Sequence, residues 1–106
     1  MESLRTGDAQ AAAVQKTPNR VTLDAMLAKI QHEQTINPSS QPTMTICVMT
    51  LQNGFVLVGK SAPADPANFD AELGMKFARE DCIRQMWPLE GYLLREELSK
   101  RTDAAA

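Results

Sequence analysis

The stretch Met44-Thr-Ile-Cys-Val-Met-Thr-Leu-Gln-Asn-Gly-Phe-Val-Leu-Val-Gly-Lys-Ser61 decides the fold. Two runs rich in apolar and β-branched residues flank Asn53-Gly54, the dipeptide that best tolerates the positive φ angles of a type I′ turn, so the segment reads as an antiparallel β-hairpin with strands over 44–52 and 55–61. With Asn53 and Gly54 as the two loop residues, Gln52 faces Phe55, Thr50 pairs with Leu57 and Met49 with Val58. One face then carries Cys47, Met49, Leu51, Val56 and Val58, the other Ile46, Val48, Phe55 and Leu57. Both faces are apolar, and a small core can cover only one. The uncharged run 44–52 is also an aggregation-prone edge if left open. Sheet extension across a subunit boundary answers both problems, so a homo-oligomer is expected.

Outward from the hairpin, Arg20 to Gln34 reads as an amphipathic helix, with Leu23, Met26, Leu27 and Ile30 at i, i+3, i+4 and i+7 and Thr22 placed to cap it. Residues 37–42, with two prolines and two serines, form a loop. Asp65-Pro66 has the pattern of an N-cap followed by proline at the first helical position, so a long helix is expected to start there. Its residues fall into two apolar arcs. Phe69, Leu73, Phe77, Ile83 and Trp87 make one, interrupted by Lys76, Glu80 and Arg84; Met75, Ala78, Cys82 and Met86 make the other. Trp87-Pro88 predicts a kink or break, followed by a last helix over 89–100. Residues 1–19 and 101–106 lack apolar periodicity and read as disordered tails, which leaves one α+β domain over 20–100.

Eleven Lys and Arg against thirteen Asp and Glu give a net charge of −2, with the cations scattered. Coating of nucleic acid is therefore not expected, since that affinity comes from neutralising many phosphates. The opening residues hold no apolar core of signal-peptide length and no segment approaches the about 20 apolar residues of a membrane span, so a cytosolic protein without membrane contact is expected. Cys47 and Cys82 lie inside apolar runs, the one histidine is His32, and no metal-ligand spacing joins them. No Gly-rich phosphate loop, nucleophile elbow or zinc motif is present. The expectation is a protein that binds rather than catalyses, with no catalytic residue, metal or cofactor.

Two places are rich in binding chemistry. At the strand-to-helix junction 59–70, Lys60, Ser61, Asp65 and Asn68 lie near a helix start whose free N–H groups suit an anion or nucleotide, although the same residues also serve as ordinary caps. On the long helix, Arg79 needs a partner: Glu72 within the fold, or a ligand phosphate at an interface with Lys76 while Trp87 stacks on a base. With Tyr92 and Arg95, these residues form the candidate ligand-binding set, in which the junction approaches Arg79, Trp87 or Arg95 of a neighbouring copy.

Taken together, 45-TICVMTLQNGF-55, 59-GKSA-62, 68-NFDAE-72 and 87-WPLEGYLLRE-96 resemble the Gp-forty-nine-like (gene-sixty-six) family of small accessory proteins of tailed bacteriophages, over roughly 20–98. The resemblance implies a phage-encoded protein acting in the cytoplasm of the infected bacterium and dispensable for building the particle; it carries over no catalytic residue. The expected function is counter-defence by stoichiometric binding, in its sharpest form sequestration of a small nucleotide signal in an oligomer pocket. The alternative is inhibition of a host enzyme or defence protein by protein–protein contact.

Overall fold

β2 (Thr45–Leu51) is the centre of the molecule: it pairs antiparallel with β1 (Ile30–Ile36) on one side and β3 (Val56–Ser61) on the other. The computed structural model describes residues 1–105, with side chains as far as Arg101. Before the sheet come α1 (Glu2–Ala13) and α2 (Leu23–Ala28); after it, a 3₁₀ turn (Pro66–Asn68) leads into α3 (Ala71–Ala105). The architecture is α+β, with a three-stranded antiparallel sheet and a long C-terminal helix laid across one of its faces.

The hairpin forms as expected, but its turn and register differ by one residue. Leu51 N–H donates to Phe55 O and Gly54 N–H to Leu51 O, so the loop has three residues, Gln52 to Gly54. Only Gly54 takes a positive φ, of 89°, whereas a type I′ turn needs two such residues. Asn53 instead uses its side chain, Oδ1 accepting from Phe55 N–H at 3.0 Å. The extra loop residue shifts the pairs to Thr50 with Val56, Met49 with Leu57 and Val48 with Val58. Because the strand period is two, every β3 side chain changes face. Leu57 enters the core, and Val56 and Val58 turn outward.

The helix expected over 20–34 is cut short. Thr22 does cap it, Oγ1 accepting from Ala25 N–H at 3.1 Å, but helix α2 ends at Ala28 and the chain becomes strand β1. Residues 31–36 are all exposed, so the alternation that announces a half-buried strand is missing. β1 also closes the edge that β2 was expected to expose. The polar side chains of β1, and the helix side chains that bond the free edge of β3, discourage pairing with another chain. On β3, Lys60 N–H donates to Asp81 Oδ2 at 2.9 Å, and Val58 O accepts from Gln85 Nε2 at 2.8 Å.

The core lies between the sheet and α3. Thr45, Cys47, Met49 and Leu51 of β2 and Leu57 of β3 pack with Ala78, Cys82, Ile83 and Met86 of α3, and Leu23 and Met26 of α2 close one end. Each fully buried large side chain contributes roughly 1.5–3 kcal/mol. The core draws on both apolar arcs of α3: Ala78, Cys82 and Met86 of one and Ile83 of the other are buried, while Met75, Leu73 and Phe77 stay about half exposed.

α3 does not begin at Pro66: Asp65 caps only the 3₁₀ turn, and Asp70 Oδ1 caps α3 by accepting from Leu73 N–H at 2.9 Å. Nor does it bend or break at Pro88, which sits inside one continuous helix. The ring removes the bond to the Arg84 carbonyl, but Arg84 and Pro88 are both exposed, so water can serve the freed group. The stretch 1–19, expected to be disordered, holds α1, with Leu4 buried. The expected tail 101–106 continues α3 to Ala105, and Ala106 lies outside the described residues.

Candidate functional site

The expected ligand-binding residues do not converge within one chain. Lys60 is exposed and points from the sheet face opposite α3, since it pairs with Ile46. Ser61, half-buried, pairs with Thr45 on the helix side. Asp65 acts as a cap, Oδ1 accepting from Ala67 N–H at 3.0 Å. Asn68 lines a cleft of about 190 Å³ with Phe69, Leu73 and Phe77.

Lys76 and Arg79 share a different cleft, of about 260 Å³, with Glu33, Thr35 and Met75. The partner of Arg79 is Glu33 of β1, with Nε donating to Oε1 at 2.6 Å, rather than Glu72. A helix over 31–34 does not predict this contact: only as a strand residue paired with Met49 does Glu33 face α3. Both side chains are about one-third exposed, which limits what the pair adds to stability. The ammonium of Lys76 lies 6.0 Å from the Phe77 ring centroid, the outer limit of a cation–π contact.

Trp87 is half-buried against the core and lines a cleft beneath α1. Tyr92, 70% exposed, borders an apolar groove of about 220 Å³ with Phe55, Leu89 and Leu93. Arg95 is exposed further along α3.

Both thiols are kept away from the imidazole. Cys47 and Cys82 are fully buried between sheet and helix, and Cys82 Sγ donates to Cys47 O at 3.4 Å. Burial pushes the Cys82 thiol up to about 12 and the Cys47 thiol in the same direction, which leaves both protonated and unreactive. His32 points from the other side of the sheet.

What the structure does assemble is a surface. The sheet face opposite α3 gathers Ile36, Ile46, Val48, Val56 and Val58 with Thr50, Gln34, His32 and Lys60. Ile36 is 41% exposed, Val56 50% and Val58 56%, and no element covers them among the described residues. Its ionisable side chains are Lys60 and His32; the one strand carboxylate, Glu33, is on the other face.

Residues 17–98 match the phage protein (N4 Gp49/phage Sf6 gene 66) family. The chain belongs to that family. The matched span covers the sheet, α2 and most of α3, and α1 precedes it. Comparison with curated proteins and with solved structures gives no match. Among the described residues, no helix of this family member is long and apolar enough to cross a membrane, and no group of three or more His, Cys, Asp or Glu is placed to hold a metal ion.

Proposed function

We propose that this phage protein acts in the cytoplasm of the infected bacterium by stoichiometric binding to a host protein, as a counter-defence factor rather than an enzyme, and that the bare face of its sheet is the binding surface. One observation carries the reading: five aliphatic side chains lie together on a face that no helix covers among the described residues, while both sheet edges are blunted. The face carries Lys60 and His32 and no carboxylate, so the fitting partner presents an apolar patch rimmed by acidic side chains.

Full-length protein and a Val56→Thr, Val58→Asp variant, both checked for native circular dichroism, provide the test. Wild type is expected to retain one stoichiometric host protein, and the variant to lose it. Retention by the folded variant overturns the reading. Native mass spectrometry showing a wild-type oligomer and a monomeric variant would instead assign the face to a second copy.

A second reading, a nucleotide pocket shared between copies, draws on the cleft that Lys76 and Arg79 face together, where Lys76 has no carboxylate partner among the described residues. Calorimetric titration with cyclic and ADP-ribose-type nucleotides tests it. Absence of heat from all of them, at concentrations that saturate any oligomer, retires it.

A further inference from the structure

α1 is a weak helix on a surface better than the one it presents. Its only buried residue is Leu4, no side chain caps its start, and Gly7 in its middle has low helix propensity. Polar contacts do much of the holding. Asp8 Oδ1 accepts from Arg20 Nη1 at 2.7 Å and from the Leu23 N–H at 3.1 Å, and Ser3 Oγ accepts from Arg84 Nη2 at 3.2 Å. The Met1 amino group contacts the buried Glu80 carboxylate.

Toward the body of the protein, α1 turns Leu4, Gly7, Asp8 and Ala11, at i, i+3, i+4 and i+7. Two of those four positions are nearly empty of side chain. A cleft of about 290 Å³ remains between α1 and the wall of Arg20, Val21 and Trp87, and a Cβ added at Gly7 meets nothing within 4 Å. The groove is therefore shaped for a helix and only partly filled by the one in it.

We propose that the groove of Arg20, Val21 and Trp87 is a helix-binding site, that α1 is its displaceable occupant, and that its partner is an amphipathic helix carrying leucine, a bulky apolar residue, aspartate and a second bulky apolar residue in the spacing of Leu4, Gly7, Asp8 and Ala11. Such a helix keeps the Arg20 pairing and the leucine anchor, and adds apolar burial where α1 leaves the cleft. Displacement needs only local undocking, because α1 is tied to α2 through Val14 to Thr22, which includes Pro18 and forms no helix or strand after the last turn of α1. The groove walls lie within the family match at 17–98, whereas α1 does not. This inference is independent of the sheet face, which lies on the other side of the sheet from α3 and its Trp87.

Trp87 is the single tryptophan of the chain and reports on the groove directly. Full-length protein is titrated with three synthetic peptides of residues 1–16: the native sequence, one carrying Gly7→Leu and Ala11→Leu, and one carrying Leu4→Asp as well. The filled peptide is expected to shift Trp87 emission saturably and bind at least about tenfold tighter than the native peptide. It should also strip the protein's own α1 of hydrogen-exchange protection. The Leu4→Asp peptide is expected not to bind.

Gly7→Leu with Ala11→Leu placed in the full-length chain should hold α1 closed, raise Tm and exclude the filled peptide. The proposal is overturned if the filled peptide changes neither Trp87 emission nor α1 protection, both in wild type and in a full-length Leu4→Asp variant whose α1 is already loosened. A closed-chain variant that folds but melts below wild type also overturns it, since the cleft would then not accept the added side chains.

Discussion

At the scale of single residues, Gly59 shows how closely the sheet and α3 approach. A Cβ there would lie 2.3 Å from Ala78 O and 2.8 Å from both the backbone N and the Sγ of Cys82. Two of these are backbone atoms of a packed helix and cannot move aside alone. Gly59→Ala is therefore expected to destabilise the fold by about 3 kcal/mol, the upper part of the overpacking range, measured as a lower urea midpoint with an unchanged slope. A full-strength fold with alanine at 59 would mean that helix and strand are farther apart. Gly59 reads in sequence only as a break in a β-branched run. Its reason lies in a helix that crosses it some twenty residues later.

Among the elements, α3 is the boldest. At 35 residues it is about 52 Å long, while the strands it covers have six or seven residues each, so its C-terminal part runs on beyond the sheet. Leu89 and Leu93 extend the stripe that buries Ala78, Cys82 and Met86, and they emerge about 37% and 54% exposed. Pro88 is exposed between Trp87 and Leu89. Replacing it with alanine restores the hydrogen bond to the Arg84 carbonyl, and its exposed ring leaves no cavity. Pro88→Ala is expected to stabilise the protein by roughly 1–3 kcal/mol and raise Tm, read by thermal circular dichroism. A fall in Tm would show that the ring makes a contact the helix depends on. The Trp87-Pro88 pair announced an ending because local chemistry disfavours helix there; packing on both sides of one missing bond overrides it.

Over the whole molecule, the pieces differ in how they are held. Sheet, α2 and the first half of α3 share a buried apolar core, whereas α1 hangs by Leu4 and by polar contacts. The Arg20 side chain bonded to Asp8, then the Leu23 N–H, hold the Asp8 carboxyl below the usual carboxylate range, with Arg5 adding a smaller attraction. A carboxyl whose folded value is lowered contributes stability that is complete above its unfolded value and is lost as pH falls through the folded one. Acidification below about pH 4 is therefore expected to release α1 first. Hydrogen exchange should show α1 unprotected while the amides of β2 remain slow. Asp8→Asn should lower α1 protection at neutral pH and flatten this acid response. Simultaneous loss of α1 and β2 protection would instead make the molecule a single cooperative unit.

Several features followed from residue order alone, because they depend on neighbours along the chain: the antiparallel hairpin around Asn53-Gly54, the Thr22 cap, the apolar stripe of α3, the buried thiols and the family. Tertiary contact decided the rest. Gln31 to Ile36 is a strand only because β2 offers it hydrogen bonds, and the hairpin register moved by one because a three-residue loop let Leu57 face the core. Glu33, rather than Glu72, reached Arg79 once β1 lay beside α3. The candidate residues were scattered for the same reason: spacing along a chain tells which side of an element a residue occupies, but only packing tells which elements meet, and here it left the sheet's far face bare and drew α1 over Trp87.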